Sequence, residues 1–307
     1  MNTPEDKQLM EEIRQLKEKK SVYIIAHYYQ RDEIQDIADF VGDSYAMAVA
    51  AKNSPLDTIL VAGVDFMAES AAILCPGKTV LSPEPTATCP MANSITVDDV
   101  RQYKETHPDS IIVSYVNTPA AIKAVSDICC TSSNAVKIIE KLPPDKRIFF
   151  IPDENLGTYV ASKLKRSLDF YPSCCPIHAA VKKETLLQRQ AEFPDAKVLV
   201  HPECDPEVVA IADYVGSTAG MVNYAAQSSA HTFIIVTEAG IMCSVESANP
   251  GKELVLADEG LICTNMKLIT LDKILHSLHN FTTVITVPEN IRVKAALALE
   301  KMIAYTQ

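Results

Sequence analysis

Short apolar runs rich in β-branched residues alternate along the chain with segments of helical periodicity. Strand-like runs occupy 22–26 (VYIIA), 58–64 (TILVAGV) and 78–82 (KTVLS), and the segments 46–52 and 66–74 between them have helical spacing. Near-continuous apolar strands separated by helices indicate a parallel sheet covered on both faces. The pattern therefore predicts an α/β fold.

The same alternation occurs three times. The runs IIAHYYQ (24–30), IVSYVNT (112–118) and VLVHPEC (198–204) align with one another, and matching positions lie 85 to 88 residues apart. A fixed period of this kind marks repeated structural units. We expect about four strands in each unit, and three homologous three-layer αβα domains whose parallel sheets are arranged around a pseudo-threefold axis.

The repeat also sets the predicted domain boundaries. Residues 1–107 form the first αβα repeat with an N-terminal helix, 108–194 the second and 195–280 the third, while 281–307 add a C-terminal strand and helix. A Thr-Pro step followed by two acidic residues near the N-terminus is typical of a helix start. Because such small units bury little core individually, we expect them to pack against one another.

Polar residues recur at matching positions directly after the predicted strands. We call each set of three matching residues, one from each repeat, a column. In parallel sheets the carboxyl ends of the strands form the edge where ligands bind, so three such edges around one axis would face a common cavity. The column of hydroxyls at helix starts suits an anion, although a single serine there often caps its helix instead. The columns are His27, Tyr115 and His201; Tyr29, Asn117 and Glu203; and Ser44, Ser132 and Thr218.

Two columns of acidic residues accompany the polar ones. Asp39, Asp127 and Asp213 each lie twelve residues after the first polar column. We interpret these three as structural, because a carboxylate commonly bonds backbone amides at a repeated turn. Common ancestry then explains their recurrence without chemistry. The second acidic column is Asp65, Asp153 and Glu238.

Charge and hydropathy narrow the class of protein. The net charge is −11, which argues against a nucleic-acid or acidic-membrane partner, so an anionic substrate would need local donors. No apolar run has the length of a membrane span, and the N-terminus lacks the apolar segment of a signal peptide. We expect a cytoplasmic globular protein.

Nine cysteines in a chain without a secretory signal argue against disulfides. One per repeat, at Cys89, Cys175 and Cys263, occupies an equivalent predicted loop. Their spacing matches neither a ferredoxin nor a zinc ribbon, and three thiolates converging from three units suit a [4Fe–4S] cluster with one open iron. An open iron is a Lewis acid suited to dehydration. The alternative for these three is that they are core cysteines left over from duplication. We interpret Cys75, Cys129, Cys130, Cys204 and Cys243 as small hydrophobic core residues.

The second repeat offers two adjacent cysteines. The interval from the second acidic column is 24 residues to Cys89 and 25 to Cys263, against 22 to Cys175 and 21 to Cys174. Cys175 is also followed by proline, as Cys89 is. We therefore choose Cys175 as the ligand.

Ten motifs in register over residues 22 to about 270 resemble the quinolinate synthases, iron–sulfur enzymes of NAD biosynthesis. The resemblance implies a triangle of three αβα domains around a central [4Fe–4S] cluster. It also implies condensation of iminoaspartate with dihydroxyacetone phosphate to quinolinate, with loss of phosphate and two waters. The chain departs from the family at Ser173-Cys174 and at 242–244. The motifs are AHYYQ, IADFVGDS, AGVDFMAES, ATCPMA, YVNT, TSSNA, CPIH, HPEC, STAGM and CTNMKLIT.

The resemblance also implies roles for the polar columns. Glu203 is the best candidate for a general base, and His27 or His201 would donate to oxyanions while Tyr29 relays a proton. His178 is expected beside the cluster. Aspartate oxidase, as supplier of iminoaspartate, is the candidate protein partner. The residues that match substrate-contacting positions are His27, Ser44, Tyr115, Asn117, Ser132, His201, Glu203 and Thr218.

Three other functions remain open from the residues alone. Another [4Fe–4S] hydro-lyase would share the open iron without a phosphate site. A non-catalytic redox or metabolite sensor would hold a cluster without needing Glu203 or Tyr29. A metal-free module that binds sugar phosphates would keep its thiols in the core.

Overall fold

Three separate four-stranded sheets, each entirely parallel, form the framework of the protein. In a computed structural model, which describes residues 3–306, the strand orders are β2-β1-β3-β4, β6-β5-β7-β8 and β10-β9-β11-β12. The strands are β1 (Val22–His27), β2 (Phe40–Gly42), β3 (Thr58–Ala62), β4 (Thr79–Leu81), β5 (Ile111–Tyr115), β6 (Ile128–Cys130), β7 (Ile148–Ile151), β8 (Asp169–Phe170), β9 (Lys197–Val200), β10 (Tyr214–Val215), β11 (Thr232–Val236) and β12 (Glu253–Leu256). The predicted α/β class is confirmed, whereas the pseudo-threefold axis and the domain boundaries stay predictions.

Helices connect successive strands, as parallel pairing requires. The helix predicted at the N-terminus is confirmed: Thr3 caps it and the Asp6 backbone N–H donates to the Thr3 hydroxyl at 3.1 Å. The α-helices are α1 (Pro4–Lys20), α2 (Asp32–Ile37), α3 (Ser44–Asn53), α4 (Asp65–Leu74), α5 (Val97–Thr106), α6 (Ala120–Lys123), α7 (Ala135–Glu140), α8 (Glu154–Leu164), α9 (Pro176–Ala179), α10 (Lys183–Glu192), α11 (Pro206–Val209), α12 (Thr218–Gln227), α13 (Ile241–Ala248), α14 (Leu271–Asn280) and α15 (Glu289–Thr306).

The first acidic column is structural, as predicted. Asp39 Oδ2 accepts the Ile24 backbone N–H at 2.8 Å, and the other two acids repeat the contact on Ile112 and Val198. Each carboxylate therefore ties the start of a short second strand to the first strand of its sheet. The bond supplies an acceptor to a backbone N–H that would otherwise lack one.

The C-terminal segment differs from the prediction. No strand forms there within the described residues, and Val284 makes one isolated antiparallel bridge with Leu81 at the edge of the first sheet. The predicted helix does form as α15, which buries Leu299 and Met302 and packs against α4, α6 and β6. Ser82 and Thr283 exchange backbone hydrogen bonds and the Ile285 N–H donates to the Val80 carbonyl, so the segment lies along the edge of the first sheet without becoming a regular strand.

Within residues 3–306, no helix combines the length and the apolar character that crossing a membrane demands.

Candidate active site

One cavity collects the ends of the central strands from all three sheets. β1 ends at His27, β5 ends at Tyr115 and His201 follows β9, while the apolar residues before them are buried in the sheets. The cavity has a volume of about 130 Å³. All twelve predicted site residues line it: His27, Tyr29, Ser44, Cys89, Tyr115, Asn117, Ser132, Cys175, His201, Glu203, Thr218 and Cys263.

The two histidines of the first column have matching surroundings. The Tyr29 backbone N–H donates to His27 Nδ1 at 3.1 Å, and the Glu203 backbone N–H donates to His201 Nδ1 at 3.4 Å. Because Nδ1 accepts in each case, the ring proton lies on Nε2. Burial lowers the pKa of both histidines to about 3, so both are neutral at neutral pH and each keeps one N–H for a ligand.

A chain of polar contacts beside these two histidines joins residues from all three repeats. The hydroxyls of Tyr29 and Thr237 lie 2.7 Å apart, and His178 Nε2 lies 2.8 Å from the Thr237 hydroxyl. His178 Nδ1 in turn lies 2.7 Å from Glu203 Oε2. This last contact is a close approach of ring nitrogen and carboxylate rather than an aligned hydrogen bond.

Glu203 is buried in the cavity wall, with 2% of its surface exposed. Burial alone would raise its pKa, but His178 and Tyr115 beside the carboxylate act to lower it. Its Oε1 and the Oδ1 of Asn117 are buried and have no hydrogen-bond partner among the described residues. Buried polar atoms are nearly always paired, so these two acceptors mark a place for a ligand.

The hydroxyl column lies at helix starts but does not cap the helices. Asp43 caps α3 by accepting the Ala46 backbone N–H at 2.9 Å, and Ser217 caps α12. Ser44 and Thr218 are the first residues of these two helices, while Ser132 lies in the turn before α7. The capping role considered from the sequence thus belongs to neighbouring residues. The hydroxyls face the cavity beside the positive ends of helix dipoles.

Backbone N–H groups two or three residues further along lie near the sulfur of each of the three cavity cysteines. The Ala92 N–H donates to Cys89 Sγ at 3.5 Å, and the N–H groups of residues 91, 178, 265 and 266 act to lower the pKa of the nearest thiol. Burial raises the pKa of all three thiols, that of Cys89 to about 12. Buried thiolates with N–H donors are what iron–sulfur ligands need once a metal takes the proton's place, so the donor set fits such a group.

The remaining cysteines lie outside the cavity. Cys175 lines it and Cys174 does not, which agrees with the choice made from the sequence. The other five cysteines outside the cavity are Cys75, Cys129, Cys130 and Cys204, which are buried, and Cys243, which is partly buried.

Cys175 Sγ, a ring nitrogen of His178 and a carboxylate oxygen of Glu203 lie within 4.8 Å of one another. A single metal ion there would compete with the contacts His178 already makes to Thr237 and Glu203.

Known proteins resemble this chain over nearly its whole length. A family model described as NadA, quinolinate synthetase A protein, matches residues 11–304. The chain belongs to the quinolinate synthase family. It is 48% identical to the quinolinate synthase of Geobacter metallireducens over 296 residues, which are 96% of this chain and 97% of that relative. It is also 46% identical to the quinolinate synthase of Methanosarcina barkeri over 297 residues, 97% of each chain. The predicted membership is confirmed.

One member of this quinolinate synthase family site was not singled out from the sequence. Thr237 directly follows β11 and directly precedes Glu238 of the second acidic column. His178 was expected beside the cluster, and one of its ring nitrogens lies within 4.8 Å of Cys175 Sγ. Its ring also lies between Thr237 and Glu203 and stacks on His201 with centroids 4.5 Å apart. A search of all strand ends for hydroxyls would have found Thr237.

Proposed function

We propose that the chain is a quinolinate synthase that condenses iminoaspartate with dihydroxyacetone phosphate, releasing phosphate and two waters. The observation that carries the proposal is the convergence of all twelve predicted residues on one cavity. They come from three separate sheets, and a shared fold alone would not require the cavity-facing residues to be polar. Membership of the family supports the same reaction.

Cys89, Cys175 and Cys263 would hold a [4Fe–4S] cluster. When bound, the cluster supplies an iron with an open coordination position, which acts as a Lewis acid. The backbone donors on the three sulfurs support this assignment, because they stabilise thiolates rather than protonated thiols.

The hydroxyl column would hold the anionic groups of the substrates. Ser44 and Thr218 present hydroxyl and backbone N–H groups at the starts of two ten-residue helices, where a phosphate or carboxylate binds favourably. His27 and His201 are neutral and keep a donor on Nε2. These local donors offset the net charge of −11, which would otherwise repel an anion.

Glu203 would remove the proton that condensation requires. Its Oε2 is held by His178, so the unpaired Oε1 remains for the substrate. A substrate carrying two carboxylates would raise the pKa of Glu203 by like-charge repulsion, toward the range of an effective base. The contact chain through His178 and Thr237 reaches the hydroxyl of Tyr29, and in a relay along it each group would take up one proton as it passes on another, so that Tyr29 donates a proton to the ligand.

An anaerobic assay tests the reaction. The purified protein is supplied with iminoaspartate, generated by aspartate oxidase, and with dihydroxyacetone phosphate, and quinolinate is quantified by chromatography. We expect quinolinate only when both substrates are present. A protein with iron and sulfide but no quinolinate would instead be another hydro-lyase or a sensor, and a protein without iron would be a binding module. Faster turnover with the oxidase than with chemically generated iminoaspartate would support it as a partner.

A further inference from the structure

We propose that Asp153 and Glu238 are positioning residues that hold their cysteine loops in the geometry a cluster needs, and that Asp65 is their counterpart in the first sheet. The inference rests on the proposed cluster but concerns residues outside the ligand set. Each of these acids follows the third strand of its sheet, β3, β7 or β11, by two or three residues. None of the contacts described below involves a cysteine side chain.

The second sheet shows the arrangement fully. Asp153 is completely buried, and its Oδ2 accepts the Cys175 backbone N–H at 3.1 Å. Its Oδ1 accepts the Leu156 N–H at 2.7 Å and so caps α8. One carboxylate therefore joins the start of a helix to the loop that carries the cysteine.

The third sheet repeats this geometry with a glutamate. Glu238 is also completely buried, and its Oε1 accepts the Cys263 backbone N–H at 3.0 Å. Its Oε2 accepts the Gly240 N–H at 2.7 Å, and Lys267 Nζ lies 3.0 Å from Oε1. The longer side chain accompanies the longest interval to the cysteine, 25 residues.

The first sheet repeats the arrangement less completely. Asp65 Oδ1 accepts the Phe66 N–H at 2.8 Å. Burial raises the pKa of the Asp65 carboxyl, and the nearby Cys89 backbone N–H acts to lower it. A direct hydrogen bond from the cysteine N–H to the acid is therefore made in the second and third sheets. A contact that only filled a turn would not need to recur at the cysteine in both.

An amide side chain is a poor substitute for Asp153 or Glu238. Both oxygens of each of these two acids accept a backbone N–H, so an amide side chain must turn its NH₂ group toward one of the two donors. The amide would break one bond and set two donors against each other inside the protein. Side chains that hold metal ligands in place typically affect metal affinity by about 10- to 100-fold.

The experiment compares Glu238→Gln and Asp153→Asn with Asp213→Asn. Asp213 is a matched control because it too accepts a backbone N–H, from Val198 at 2.9 Å, but belongs to the first acidic column. After anaerobic reconstitution, iron release to a chelator is timed and the reduced cluster's EPR spectrum is recorded. In metal-free protein, hydrogen exchange at the Cys263 and Cys175 amides is followed by mass spectrometry.

We expect iron release to accelerate about tenfold or more in Glu238→Gln and Asp153→Asn, with an altered EPR spectrum and faster exchange at the affected cysteine amide. Asp213→Asn should match the wild type in all three measurements. Folded variants with wild-type iron release and wild-type exchange would overturn the inference. If the wild type binds no cluster, the proposed cofactor fails, while the exchange measurement still decides whether the acids hold the loops.

Discussion

Replacing Thr237 by valine tests whether the contact chain from Tyr29 to Glu203 takes part in turnover. Valine has nearly the shape of threonine but lacks the hydroxyl that lies 2.7 Å from the Tyr29 hydroxyl and 2.8 Å from His178 Nε2. A buried hydrogen bond contributes about 0.5–1.5 kcal/mol net, so the two together contribute about 2 kcal/mol. If these contacts stabilise the transition state by that much more than the ground state, their loss lowers turnover about 30-fold, because each 1.36 kcal/mol is a factor of ten.

The assay is anaerobic quinolinate formation by Thr237→Val, normalised to iron content, with Thr237→Ser as the control. Serine keeps the hydroxyl and removes only a methyl group, so it should retain most of the turnover. Denaturant unfolding of both variants separates a loss of stability from a loss of rate. Equal turnover of the valine and serine variants with full clusters would refute a role for the chain in proton movement.

Four further outcomes are expected. Cys175→Ala should abolish the visible absorption of the cluster, whereas Cys174→Ala should keep it; the reverse result would exchange the ligand assignment. Glu203→Gln should retain the cluster and lose about 10²-fold in turnover, the scale of a general base, and a wild-type rate would contradict that role. Thr218→Ala should mainly raise the KM for dihydroxyacetone phosphate, and an unchanged KM would remove it from the phosphate site. Gly157→Ala should lower unfolding free energy by about 1–3 kcal/mol, because its Cβ would lie within 3 Å of two phenylalanine rings; an unchanged denaturation midpoint would show that the rings can move.

The sequence by itself determined the strands, their parallel pairing and the shared cavity. Apolar runs such as 22–26 and 58–62 form buried strands because a fully buried sheet requires apolar residues at every position. The repeat then places equivalent residues at equivalent strand ends. It also predicted the backbone bonds of the first acidic column, because such a bond depends on a turn that recurs with the repeat.

Only the tertiary structure decided how side chains from different sheets meet. Tyr29 and Thr237 are separated by 208 residues, and no local pattern states that their hydroxyls share a bond. For the adjacent pair Cys174 and Cys175, the following proline favoured Cys175 from the sequence, and the tertiary structure shows that Cys175 and not Cys174 lines the cavity. Periodicity fixes which face of a strand is buried, whereas contacts between sheets depend on how three rigid units pack. That packing is set by the shapes of many side chains together, so it is absent from any single stretch of sequence.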